Sequence, residues 1–118
     1  MSLRREYWID ADLNRLPKPC DLTGNLFREG DAGDRIGVRV YRDGKPEILT
    51  GSIKGYIILP DKSMINQING EREGNAAWVD LPAAACASPG LIEIFVKMEE
   101  NASITTLGTI KAKVCHSI

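Results

Sequence analysis

The chain has 118 residues, 43% of them apolar and 26% charged, with a formal net charge of -1. That is one domain's worth of sequence with enough apolar material for a core. A near-neutral balance excludes the basic surplus expected of a nucleic-acid binder, and no apolar run has the length of a membrane span.

Residues 1–19 read as an extended N-terminal arm ahead of a β-domain over 20–118. Pro17 and Pro19 favour extended backbone around them, and Tyr7 and Trp8 give the arm two adhesive aromatic groups. Such an arm either covers its own domain's core or docks on a neighbouring subunit. The N-terminus shows no apolar h-region, so no signal peptide is expected. Residues 20–28 form a first strand with Leu22 and Leu26 or Phe27 inward, and Gly30-Asp31-Ala32-Gly33-Asp34 then breaks the chain. Ile36, Val38 and Val40 alternate with Arg35, Gly37, Arg39 and Tyr41, the period of a half-buried strand. Asp43-Gly44 is a two-residue hairpin turn, because both positions tolerate positive φ. Pro46 lacks an amide donor and belongs at an edge or a strand start, with a short strand over 47–50.

Residues 53–59 alternate again, and Pro60-Asp61 turns the chain. A weaker strand spans 63–68, and Asn69-Gly70 opens a polar turn through Gly74. Ala77, Val79 and Leu81 face inward from the next strand. Residues 82–87 are the one helical candidate, since Pro suits a first turn and Ala propagates it, for a turn or two. Residues 91–98 are the strongest strand, with Ile92, Ile94, Val96 and Met98 on one face. A last strand over 104–114 slips phase near Leu107-Gly108, which predicts a β-bulge.

About seven or eight short strands with regular turn signals predict an all-β domain, a sandwich or small barrel. Alternation also places Tyr41, Tyr56, Trp78 and Phe95 on the side opposite the core, interleaved with Arg35, Arg39, Lys54, Asp80, Glu93 and Lys97. Tyr, Trp and Arg are enriched at interface hot spots. The candidate interface is therefore Tyr41, Tyr56, Trp78, Phe95 and Arg39, joined by Tyr7 and Trp8 of the arm. Two other readings stand beside it: ordinary surface aromatics covered by loops, and a sugar-stacking platform.

Little else suggests chemistry. Cys20, Cys86 and Cys115 form no CxxC pair and read as reduced thiols. His116 neighbours Cys115, but adjacent strand residues point to opposite faces. Glu29, Asp31 and Asp34 offer hard oxygens in a Gly-rich loop, the donor type calcium takes, without EF-hand spacing. No nucleophile elbow, phosphate loop or HExxH is present, so neither catalysis nor a cofactor is expected.

Several landmarks recur in a recognisable order: Arg28-Glu29-Gly30-Asp31, a strand ending Val40-Tyr41, Asp43-Gly44, Pro46 and Leu49-Thr50-Gly51. Pro60-Asp61, Asn75-Ala76-Ala77-Trp78-Val79, Leu81-Pro82-Ala83-Ala84-Ala85 and Gly90 follow. Over residues 20–114 the chain resembles the immunoglobulin-like N-terminal domain of phage baseplate upper proteins and related phage tail proteins. It departs in having Pro60-Asp61-Lys62 where the family often has Pro-Asp-Gly, and in lacking the receptor-binding regions of longer relatives. The resemblance implies an immunoglobulin-like sandwich of antiparallel strands. It implies a non-catalytic virion component of the tail, assembled in the bacterial cytoplasm, and partners among other tail or baseplate proteins in a homo-oligomer. The alternative function is a small carbohydrate-binding or adhesion module using an aromatic sheet face.

Overall fold

The computed structural model describes residues 5–14 and 20–116. Among them ten strands succeed one another: β1 (Glu6–Asp12), β2 (Cys20–Arg28), β3 (Arg35–Arg42), β4 (Lys45–Pro46), β5 (Ser52–Ile58), β6 (Met64–Asn69), β7 (Glu71–Glu73), β8 (Ala76–Asp80), β9 (Gly90–Glu100) and β10 (Ser103–Cys115). One 3-10 turn, Ala83–Cys86, lies between β8 and β9. It is the short helical turn expected over 82–87, in 3-10 form.

The strands form two sheets. The first runs β1-β3-β8-β7, with β4 beside β3; the second runs β2-β10-β9-β5-β6. Alternation puts Ile36, Val38, Val40, Ala77 and Val79 of the first sheet in one buried cluster with Ile53, Ile57, Ile92, Ile94, Val96, Ile110, Ala112 and Val114 of the second. The sheets therefore stack as a sandwich. Each fully buried Val, Leu or Ile in it contributes about 1.5–3 kcal/mol. The phase slip in the last strand is a register shift between Thr106 and Gly108 opposite β9. It lets Leu107 and Gly108 both be buried in succession.

The sheets are mixed, not purely antiparallel. β1 pairs parallel with β3, and β2 pairs parallel with β10. Of the stretch read as an arm, Glu6–Asp12 is thus an edge strand of the first sheet, while residues 15–19 lie outside the described residues. β1 is further tied to the β3–β4 hairpin, because the Asp12 carboxylate accepts from the amides of Asp43 (3.2 Å) and Gly44 (3.1 Å). Those two turn residues have φ of 53° and 79°, as a type I′ hairpin requires.

Two local expectations change. Regular pairing after the hairpin stops at Pro46, opposite Tyr41, so residues 47–50 are irregular. Leu49 still plugs the core while Ile48 stays 65% exposed. The polar segment after Gly70 is a strand, since Glu71, Arg72 and Glu73 pair with Trp78, Ala77 and Ala76. Gly70 marks the crossing between sheets: a β-carbon there would come within 2.5 Å of the Trp78 carbonyl.

Candidate protein-interaction faces

Register decides which outward side chains meet. Trp8 lies opposite Gly37 on β3, and Gly37 lies opposite Trp78 on β8. Residues in register share a face, so the two indoles flank a glycine on the outer surface of the first sheet. They meet edge to face, with centroids 6.0 Å apart and planes at 63°. Each also carries a guanidinium: Arg39 lies 4.7 Å from the Trp8 ring and Arg35 lies 5.0 Å from the Trp78 ring, within cation–π range. Arg35 is held in turn by Asp80 at 2.9 Å, and that bond raises its pKa despite some desolvation. The Trp8 indole nitrogen donates to Glu6 at 3.1 Å. Tyr41 ends the same face, half-buried opposite Pro46.

The outer surface of the second sheet carries a separate cluster. Tyr56 on β5 lies directly opposite Phe95 on β9. The Lys97 ammonium lies 5.2 Å from the Tyr56 ring and 5.8 Å from the Phe95 ring. The Tyr56 hydroxyl donates to Glu99 at 3.3 Å. Desolvation, the Glu99 charge and that hydrogen bond together push the Tyr56 pKa up.

The candidate residues consequently divide. Trp8, Trp78, Arg39 and Tyr41 occupy one outer surface; Tyr56 and Phe95 occupy the surface on the other side of the sandwich. Tyr7 joins neither. It shares the inward face of β1 and meets Phe27 edge to face at 5.4 Å, packed against the core. Alternation along Tyr7-Trp8-Ile9-Asp10-Ala11 carried the signal for this. Arg35, Lys97 and Glu99 complete the clusters, and their role follows from register that a single strand cannot reveal.

The acidic loop after β2 is occupied from within the chain. One nitrogen of the Arg5 guanidinium lies 2.7 Å from Asp31 and 2.9 Å from Asp34. Asp34 also accepts from the Arg5 amide at 3.2 Å. A protein cation thus stands between the carboxylates proposed for calcium. Among the described residues no group of three or more His, Cys, Asp or Glu is arranged to hold a metal ion. His116 is exposed and Cys115 half-buried at the end of β10.

No family model matches the chain, and no curated protein matches it. Among solved structures it is similar to the N-terminal domain of phage TP901-1 ORF48. The likeness covers 97% of this chain and 99% of that one, with 10% sequence identity and a TM-score of 0.52. At that identity the likeness is one of fold.

Proposed function

We propose that this domain is a non-catalytic structural component of a phage or prophage tail or baseplate. It works by docking on other tail proteins and on copies of itself, within the virion, after assembly in the bacterial cytoplasm. Two independent lines support the reading: the order of landmarks in the sequence, and a fold similar to that of a phage protein's N-terminal domain. The observation that carries the docking role is the pair of ordered aromatic–cation clusters, Trp8–Trp78 with Arg39 and Arg35, and Tyr56–Phe95 with Lys97. Aromatic and arginine side chains held in place lose little entropy when a partner covers them.

The sugar-platform alternative has less support. A stacking site needs an open ring face, but Trp8 lies against Gly37 on one side and has the Arg39 guanidinium over its ring. Tyr41 and Trp78 also lie on one outer surface, and Tyr56 and Phe95 on the opposed one.

The experiment is antibody labelling of tail particles induced from the strain that carries the gene, beside a glycan-array screen of the purified domain. Label at the tail is expected. Particles that lack the protein, or specific glycan binding lost in Trp78→Ala, would overturn the assignment.

A further inference from the structure

The two outer surfaces carry opposite charge. On the first sheet Arg35 and Asp80 neutralise each other. Glu6 and Asp10 then remain on edge strand β1, and Glu71 and Glu73 on edge strand β7, around Arg39. On the second sheet Lys54, Lys97, Lys111 and Lys113 outnumber Glu93 and Glu99 among the described side chains. Some of these charges are matched in register, Asp10 with Arg39 and Glu93 with Lys111, but each surface keeps a surplus of one sign. Lys54 and Lys97 stand directly opposite each other on β5 and β9, and Glu71 and Glu73 share one face of a three-residue strand. Like charges in register are destabilising. They become favourable when an oppositely charged surface is laid over them.

We propose that the acidic, tryptophan-bearing surface of one copy docks on the basic, Tyr56–Phe95 surface of a second copy, head to tail. This rests on the assembly role proposed above and names one of its partners. The aromatic clusters lie inside each charged surface, so the contact has the apolar centre and polar rim of a specific interface. Because the two docking surfaces differ, the contact is heterologous: each bound copy offers a fresh surface, and the series closes as a ring or continues as a stack.

Sedimentation velocity over a concentration series tests this with three proteins. The wild type is expected at least to double its weight-average mass at the highest concentration and to lose that gain as added salt screens the charges. Glu71→Lys/Glu73→Lys and Lys97→Ala/Lys111→Ala are each expected to remain monomeric. Mixed in equal amounts they are expected to form a one-to-one dimer and nothing larger, since one intact acidic and one intact basic surface remain. Circular dichroism checks that both variants fold; Lys111→Ala/Lys113→Ala, at two exposed positions, replaces the second if it does not. A monomeric wild type, a variant that assembles like the wild type, or a mixture that stays monomeric would each overturn the contact. A monomeric domain still present in tail particles removes this contact alone. A self-associating domain absent from the particles removes the tail assignment alone.

Discussion

Trp8 and Trp78 touch although their strands are not neighbours. β3 runs between them, and the residue it places at that level is Gly37. The missing side chain is what lets the indoles close to 6.0 Å.

Substituting Gly37→Ala should therefore destabilise the domain. The new β-carbon would lie 2.4 Å from the Trp8 ring, which forces the indole off the sheet. Alanine in a strand ordinarily gains about 0.5–1 kcal/mol over glycine, but overpacking costs about 1–3 kcal/mol, so the clash wins. A lower melting temperature and a changed near-ultraviolet dichroism of the tryptophans are expected. An unchanged spectrum would mean that the indoles do not depend on the gap.

Asp34 is 6% exposed and is the buried charged residue among those described. Its carboxylate accepts from both the backbone and the guanidinium of Arg5, and this ties the start of β1 to the loop after β2. Asp34→Ala should cost about 1–3 kcal/mol, the penalty for breaking a buried hydrogen-bonded charge. Arg5 is 44% exposed, but Arg5→Ala leaves the buried Asp34 carboxylate without its cation and should likewise cost about 1–3 kcal/mol. Because Arg5 already fills the space between Asp31 and Asp34, millimolar calcium should leave the wild-type melting midpoint unmoved. A rise of several degrees would show that the ion displaces the arginine.

Cys86 is buried behind that loop, and burial, reinforced by the charges of Asp31 and Asp34, pushes its thiol from 9.0 up to about 11. The fold thus favours the neutral thiol. Its contribution is complete below pH 9.0, where the unfolded thiol is also protonated, and is lost as pH rises toward 11. Burial raises Tyr7 as well, which acts in the same alkaline direction. Urea midpoints should fall between about pH 8 and about pH 11, with a shallower fall in Cys86→Ala. In the native state at neutral pH, mass mapping after alkylation should find Cys86 unmodified. Rapid labelling of Cys86, or an equally steep fall without it, would contradict its burial.

Much of the core was legible because period-two alternation is a local signal. Ile36, Val38 and Val40 on β3, and Ile92, Ile94 and Val96 on β9, all lie at 0% exposure as their spacing predicts. The bulge at Leu107 announced itself by its phase slip. Pairing partners were not legible. A parallel partner is joined by no hairpin, so nothing near Trp8 points to Gly37. Glu71–Glu73 is exposed throughout and lacks an apolar rhythm, so it resembled a turn. Alternation also reports in or out, never which sheet. For that reason Trp78 and Phe95 appeared to share a surface that the second sheet in fact divides.

The pairing of β2 with β10 joins Cys20 to Ile110 and Arg28 to Cys115, nearly the two extremes of the chain. Contacts this distant in sequence are slow to form, because a long loop must close before they contribute. During synthesis β2 has no sheet neighbour until the last strand has left the ribosome. The nascent domain therefore carries an unclaimed strand edge for most of its translation, the state in which chains pair with the wrong partner. If the domain is the tail component proposed above, made in many copies, it would meet that hazard at its own birthplace, beside its siblings.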